Sequence, residues 1–310
     1  MLKNCKRTSF SLIAVLLTIL MIPMQIIHAE ESHELSEIYF EDDRLAQEIA
    51  HNLNLEDLTG QTITEADIAG LTSLYFEGEL TSLEGLQYAE NLEELRLLEA
   101  DIEDITLLAG LENLKILILS NNNIRDITSL ARLENLLYLE LDGNEINNIT
   151  SLSELKNLEE LSLANNQIAD ITALEELSSL NFLDLNNNLI TDITSLSGLE
   201  NLTRLYLSNN QLTDITALEG LESLERLHLE NNKLSDVDAF QGLPLSELHI
   251  RLAGNPISDE AIQYLQTHGA VVYGINNDGD NGEKPNTNVI LLIAVILLLI
   301  GGFIVYLKLR

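Results

Sequence analysis

Apolar residues recur along the middle of the chain with a period of 22 residues. Seven successive blocks of this length, the first of which begins at residue 91, align without a gap. In every block, positions 2, 5, 7, 12, 15, 18 and 21 are apolar, so all 49 of these positions carry an apolar residue. A weaker copy occupies residues 69–90, and a shifted copy carries Ile250, Leu252, Asn255 and Ile257. Self-similarity at this period predicts a solenoid in which each repeat forms one coil and stacks on its neighbours.

Each block predicts a short strand and a turn that follows it. Positions 5 and 7 lie on the same side of an extended segment, so the strands of successive coils stack as a parallel sheet with these positions inward. Position 10 follows the strand and is Asn in six of the seven blocks, with Ala100 as the exception. An Asn amide offers donors and an acceptor, enough to satisfy backbone groups that the turn buries. The predicted structural Asn ladder consists of Asn122, Asn144, Asn166, Asn188, Asn210, Asn232 and, in the shifted copy, Asn255.

A second polar column lies at position 14, where an Asp can cap the turn that begins the return path. Its members are Asp104, Asp126, Asp170, Asp192, Asp214 and Asp236, with Asn148 in the remaining block. A coil of 22 residues leaves room for a 3-10 turn on the return path rather than for a full α-helix. Columns of Asn and Asp could also suggest a metal array. Because the coil itself requires both residue types, we expect no metal.

The repeat unit LxxLxLxxNxIxDIxxLxxL, seen as LENLKILILSNNNIRDITSLARL at residues 111–133, is the leucine-rich repeat pattern. It resembles that of the internalin family of Gram-positive surface proteins. The fold expected is an α/β solenoid, a leucine-rich repeat horseshoe with parallel strands on the concave face and 3-10 turns on the convex face. The resemblance also implies a role in adhesion or recognition.

Both ends of the solenoid carry candidate caps, which cover the apolar face that a terminal coil leaves open. Before the repeats, Leu45, Ile49 and Leu53 share one helix face, and Thr64 with Asp67 forms a capping box. After them, Ser258 caps a predicted helix over 259–268, and a strand follows over 269–274. The predicted units are a helical N-terminal cap at 30–68, the repeats at 69–257 and a C-terminal cap at 258–275.

Composition narrows the classes of function. Lys and Arg total 16 against 50 for Asp and Glu, and the formal net charge of −34 excludes nucleic-acid binding because phosphate backbones are repelled. The single cysteine, Cys5, lies in the first few residues, so disulfides and a cysteine nucleophile are not expected in the mature chain. The sequence carries no GxSxG, HExxH or P-loop motif. We therefore expect a protein that is not an enzyme and uses no cofactor.

Two terminal segments predict export and anchoring. Residues 1–29 combine a basic start, an apolar stretch and a small residue at the end, which is typical of a signal peptide. Residues 289–307 are 19 uncharged residues, long enough to span a bilayer, and the basic tail at 308–310 would lie inside. The mature protein is thus expected outside the cell, at its surface.

The segment between the C-terminal cap and the predicted membrane span, residues 276–288, is interpreted as a linker rather than as a calcium loop. It contains Pro285 and Thr287 in a Pro-x-Thr arrangement that resembles a sortase sorting signal. In such a signal the Thr is joined to the cell wall. Attachment to the wall and retention in the membrane both remain open at this point.

The strand positions that point outward, 4, 6 and 8, form rows on the concave face. An apolar end is followed by an acidic middle of Glu140, Asp142, Glu160 and Asp184, and then by a basic end. Arg and exposed aromatic residues carry much of the binding energy of protein interfaces. The candidate partner-binding residues are Ile116, Ile118, Tyr138, Phe182, Arg204, Tyr206, Arg226, His228, His249 and Arg251. A metal pair of His228 and His249 is disfavoured because no third ligand is evident.

These features together predict a monomeric protein at the cell surface that binds a protein ligand through its concave face, in adhesion or recognition. The alternative is an envelope-organising protein that binds a wall or membrane component of its own cell.

Overall fold

The computed structural model describes residues 36–55, 62–235 and 240–274. Helix α1 (Asp43–Asn52) and the single-turn helix α2 (Glu65–Ile68) precede the repeats, and helix α3 (Asp259–Thr267) lies before the last strand. Ten parallel strands form one open sheet in the order of the sequence. They are β1 (Ser73–Glu77), β2 (Glu94–Leu98), β3 (Ile116–Ile118), β4 (Tyr138–Glu140), β5 (Glu160–Ser162), β6 (Phe182–Asp184), β7 (Arg204–Tyr206), β8 (Arg226–His228), β9 (His249–Arg251) and β10 (Val271–Tyr273).

A 3-10 turn follows each of the strands β1 to β7, as predicted. The turns span Leu86–Tyr88, Thr106–Gly110, Thr128–Arg132, Thr150–Leu152, Thr172–Leu174, Thr194–Leu196 and Thr216–Leu218. The carboxylate of Asp170 accepts a hydrogen bond of 2.9 Å from the backbone N–H of Thr172, and its counterparts in the column do the same. In the remaining block, the side-chain oxygen of Asn148 accepts the corresponding hydrogen bond from the backbone N–H of Thr150. The predicted leucine-rich repeat solenoid is confirmed.

The register between strands measures the length of each coil. From β2 to β8 each residue pairs with the residue 22 positions further on, as Leu117 does with Leu139. The first coil is one residue shorter, because Ser73 pairs with Glu94. The shifted copy is one residue longer, because Leu227 pairs with Ile250. The departures from the period therefore fall at the first strand pair and at β8–β9, the last pair but one, while β9 and β10 again differ by 22 residues.

The core is a continuous stack of aliphatic side chains inside the coils. Of the 49 periodic apolar positions, Val237 lies outside the described residues, and the others are all buried. Each coil buries its apolar positions mainly against the coils before and after it, so the stability of the solenoid is close to a sum over neighbouring pairs. The two terminal coils need covers.

At the N-terminal end, α1 packs against β1 with Leu45 and Ile49 fully buried, while Leu53 is partly buried. The Thr64–Asp67 capping box is present at α2. Asp42, which caps α1, accepts hydrogen bonds of 2.7 Å and 2.9 Å from the backbone N–H and hydroxyl of Thr81 in the first coil. One buried carboxylate thus ties the cap to the repeats.

At the C-terminal end, Ser258 caps α3 through the backbone N–H of Ala261, as predicted. The helix ends at Thr267, one residue before the predicted boundary. Strand β10 then pairs with β9 and is the last strand of the sheet.

The Asn ladder has the predicted role. The side-chain oxygen of Asn166 accepts from the backbone N–H of Ile146 at 3.0 Å. Its amide nitrogen donates to the carbonyl groups of Leu141 and Leu163 at 3.0 and 3.1 Å. The same arrangement recurs from Asn122 to Asn232, and Asn255 completes it in the longer last repeat. In the coil of β2 the ladder position is Ala100, and its backbone carbonyl takes over the acceptor role, accepting from the N–H of Leu80 at 2.9 Å.

Two further columns were not predicted. Position 9 adopts a left-handed backbone with φ of +55° to +58° at Asn121, Asn165, Asn187, Asn209 and Asn231. Gly143 occupies the same position with φ of +65°, and a β-carbon there would collide with the side-chain oxygen of Asn121. At position 1, exposed Asn side chains donate to backbone carbonyls of the preceding coil, as Asn157 does to Glu134 at 2.8 Å. The concentration of Asn and Gly in the first column is the signal that could have identified it.

The predicted signal peptide (1–29), linker (276–288), membrane span (289–307) and basic tail (308–310) lie outside the described residues, as does Asp236. Within the three described ranges, no helix has both the length and the hydrophobicity needed to cross a bilayer.

Replacing Asn166 with Ala should lower the free energy of unfolding by about 1–3 kcal/mol, because the N–H of Ile146 and two buried carbonyls lose their partner. Urea unfolding followed by circular dichroism measures the change. The control is Asn147→Ala on the exposed return path, in the column where the next repeat has Ala169. An Asn166→Ala loss no larger than that of the control would contradict the role assigned to the ladder.

Candidate protein-binding face

The strand register places the outward residues in two neighbouring rows. One row runs through Glu94, Ile116, Tyr138, Glu160, Phe182, Arg204, Arg226 and His249. The other runs through Arg96, Ile118, Glu140, Ser162, Asp184, Tyr206, His228 and Arg251. These are the rows that the repeat alignment predicts, so the structure places the candidate residues on one face of the sheet.

The apolar end of this face is less exposed than the sequence suggests. Ile118 is 4% exposed and therefore does not face water, contrary to the expectation. Ile116 and Tyr138 are half-buried. The hydroxyl of Tyr138 donates to Glu140 at 2.8 Å, which fixes the ring over the strand. Of these three side chains, Ile116 and Tyr138 are the ones that offer surface to a partner.

The carboxylates of the acidic middle have hydrogen-bond donors within the chain. Glu140 accepts from the hydroxyl of Ser120 at 2.7 Å as well as from Tyr138. Asp142 accepts from the hydroxyl of Ser162 at 2.7 Å and from the backbone N–H of Ala164 at 2.8 Å. The bonds from Ser120, Ser162 and Ala164 link adjacent coils, and together with the bond from Tyr138 they hold the carboxylates in fixed positions.

Burial raises the pKa of three of these groups, including Glu160, where the positive charge of Arg204 opposes the shift. It raises the pKa of Asp142 to about 6, with the negative charge of Glu140 adding to the effect. It raises the pKa of Asp184 to about 7, although a hydrogen bond of 2.8 Å from the backbone N–H of Asn186 opposes the shift. The middle of the face therefore carries less negative charge at neutral pH than its composition implies.

Three rings on neighbouring strands form what we call the aromatic platform, Phe182, Tyr206 and His228. Phe182 meets Tyr206 edge to face, with ring centroids 5.3 Å apart. Tyr206 stacks on His228 at 4.1 Å with an angle of 9° between the ring planes. Aromatic pairs of this kind are rigid and carry a large contact area, which suits them to binding.

The basic end carries less free charge than predicted. Burial lowers the pKa of His228 to about 4, helped by the positive charges of Arg251 and Arg226, so this ring is neutral at neutral pH. Arg204 pairs with Glu160 at 3.2 Å and covers the ring of Phe182 at 4.6 Å. His228 therefore adds no positive charge to the predicted basic end, and Glu160 partly neutralises Arg204, while Arg226 is exposed.

Tyr273, in β10, extends this end of the face and was not among the predicted site residues. Its hydroxyl lies 3.0 Å from the Nδ1 atom of His249, and the guanidinium of Arg251 lies 5.8 Å from the centre of its ring. Its place in the register beside Arg251 was available from the sequence once 269–274 had been taken as a strand. In the part of the chain that the structure describes, no three His, Cys, Asp or Glu side chains are grouped to hold a metal ion.

Asp184→Asn should stabilise the protein at pH 8. Because the folded-state pKa of Asp184 is about 7 and the unfolded value is near 4, this group favours folding below pH 4 and ceases to do so as pH rises through 7. An Asn keeps the acceptor for the N–H of Asn186 without the charge. The expected gain at pH 8 is at least ~1.4 kcal/mol, the equivalent of one pKa unit. It should vanish below pH 4 in urea unfolding.

The control is Asp192→Asn, in the exposed capping column where Asn148 already stands. The hydroxyl and N–H of Thr194 lower the pKa of Asp192, so its shift has the opposite sign. This substitution should give no gain at pH 8. Equal behaviour of the two variants would show that burial of Asp184 is not the cause.

The protein-family model described as Leucine Rich repeats (2 copies) matches the chain twice, at residues 156–198 and 200–242. The solved structure of internalin C2 from Listeria monocytogenes is 33% identical, with 75% of this chain and 93% of that chain covered and a TM-score of 0.58. A leucine-rich repeat protein of Leptospira interrogans is 28% identical, with 67% and 62% covered and a TM-score of 0.60. No curated protein matches. The 22-residue register, the Asn ladder and the identity to internalin C2 agree, and the chain belongs to the internalin-like leucine-rich repeat proteins.

Proposed function

We propose that this chain is a secreted protein, anchored at the surface of a Gram-positive cell, that binds a protein partner through its concave face. Leucine-rich repeat solenoids are generally protein-interaction modules and typically non-enzymatic scaffolds. The observation that supports the proposal is the set of aromatic and arginine side chains on strands β6 to β9. The core and the turns are complete without them.

The side chains proposed to make the contact are those that keep accessible surface on this face. Phe182 and Tyr206 are half-buried, and Arg226 is exposed. Half-buried aromatic residues beside an arginine are the composition found at the centre of protein interfaces. The rings are already held against one another, so little side-chain entropy is lost on binding.

The combined change Phe182→Ala, Tyr206→Ala and Arg226→Ala should abolish capture of the partner, because it removes the aromatic contact area and the exposed charge together. The purified chain is immobilised and offered host-cell surface proteins in one arm and purified cell wall in the other. Bound material is measured against the same chain with the single change Glu176→Ala, an exposed residue on the convex side. Loss of binding in Glu176→Ala but not in the triple variant would place the site elsewhere. Circular dichroism confirms that both variants fold.

An envelope-organising role is the second candidate, and the length of the linker favours it. In the sequence about 13 residues separate the predicted C-terminal cap from the predicted membrane span, and if they act as a flexible linker their typical end-to-end distance is about 20 Å. A repeat domain held that close to the membrane would reach components of its own envelope before it reached another cell. If Thr287 is instead joined to the wall, the same domain faces outward and adhesion is favoured.

Digestion of the wall with a muramidase separates the two arrangements. If the sorting signal is used, the protein is released with wall fragments, and Thr287→Ala abolishes the release because the residue to be joined is missing. Asn286→Ala, at the variable position of the Pro-x-Thr arrangement, should leave the release unchanged. If the unmodified chain and both variants stay with the membrane, the Pro-x-Thr arrangement does not act as a sorting signal, and the envelope-organising role is favoured.

A further inference from the structure

Cationic side chains are scarce in this chain, 16 against 50 acidic ones, yet three arginines meet on the concave face. We call Arg204, Arg226 and Arg251 the arginine cluster. Arg204 and Arg226 are direct partners in the β7–β8 register, and Arg251 is the partner of His228 in the next strand pair. Burial raises the pKa of Tyr206, and the positive charge of each of the three arginines opposes that rise. The cluster therefore surrounds one end of the aromatic platform.

The three arginines differ in how far their charge is neutralised within the chain. Arg204 pairs with Glu160 at 3.2 Å, and Arg251 lies 3.9 Å from Glu230 while its guanidinium faces the ring of Tyr273. Arg226 is exposed and forms no ion pair with any carboxylate in the described part of the chain. Placing it directly opposite Arg204 costs electrostatic energy, since like charges repel across a strand pair. The fold gains nothing evident from a guanidinium at this position.

We propose, on the basis of the function proposed above, that Arg226 and the aromatic platform bind a short acidic segment of the partner protein. A guanidinium presents a rigid fork of N–H donors that matches the two oxygens of a carboxylate. The carboxylate would contact Arg226, and its charge would relieve the repulsion between Arg226 and Arg204. Apolar side chains next to it in the partner would pack on Phe182 and Tyr206.

The charges around the site favour a short protein segment over a long polyanion. The net charge of −34 repels a chain of phosphates at a distance, and Glu160 and Asp184 lie on β5 and β6, the two strands that precede the cluster in the sheet. A polyanion laid along the concave face would have to cross these carboxylates. A few acidic side chains on a folded or extended partner can reach Arg226 without doing so, and the half-buried rings offer apolar contacts that a phosphate polymer cannot use.

Two fluorescein-labelled probes test the chemistry by fluorescence anisotropy on the purified full-length chain: hexaglutamate and the uncharged hexaglutamine. Hexaglutamate should bind in a salt-dependent manner, and hexaglutamine should bind at least about tenfold more weakly. Arg226→Glu should weaken hexaglutamate binding by about tenfold or more. Because Arg226 is exposed, this change should leave the circular dichroism spectrum unaltered.

The matched control is Arg132→Glu, which makes the same change of charge at an exposed residue on the convex 3-10 turn Thr128–Arg132. It should alter hexaglutamate affinity by less than about twofold. Equal losses in the two variants, or equal binding of hexaglutamate and hexaglutamine, would overturn the proposal. Tighter binding of inorganic polyphosphate than of hexaglutamate would overturn it in favour of a polyanionic ligand. If the peptides fail while the concave triple variant still loses its partner, this inference falls and the proposed function stands.

Discussion

The chain turns sharply after three strand residues in most coils, and the structure depends on how the backbone N–H and carbonyl groups at this turn find hydrogen-bond partners. The turn carries N–H and carbonyl groups into the interior, where an unpaired group costs about 1–3 kcal/mol. In the coils from Asn122 onward one Asn amide meets this need, and it does so across the coil boundary: Asn166 accepts from Ile146 in the preceding coil while donating to carbonyls of both. The same side chain that completes a turn therefore fixes how the next coil stacks.

The core and the two turns of a coil are formed by different positions of the repeat, which explains why the residues on the concave face can vary. Leu positions fill the core, Asn completes the inner turn, and Asp caps the outer turn, so a 22-residue coil has few unconstrained positions left. Those on the outward side of the strand differ from coil to coil while the inward ones repeat. The aromatic platform and the arginine cluster occupy such positions. Their contacts, such as Arg204 over Phe182, join different coils and arise because the register holds the strands in line.

The sequence predicted whatever recurs with the period, including the strands, the 3-10 turns, the Asn ladder and both caps. It also predicted which residues share a row, because the row follows from the register. It did not predict how exposed or charged those residues are. The pairing of Arg204 with Glu160 joins side chains two coils apart, the neutral state of His228 depends on its burial and on Arg251 in the next coil, and the burial of Ile118 has no counterpart in the repeat pattern. No periodic signal encodes those contacts. Tyr206 stacks on His228 because both happen to be rings in adjacent copies of one position.

The register has a consequence for how such a face can change. From β2 to β8 every coil spans 22 residues, and the exceptional coils lie outside this run, where Ser73 pairs with Glu94 and Leu227 with Ile250. Duplicating one internal coil, for example 135–156, would therefore leave both caps and every inward contact as they are. It would move the apolar end and the arginine cluster apart by one strand spacing, about 4.8 Å. The number of repeats thus sets the distance between two contact regions in steps of one strand spacing, and neither region has to change.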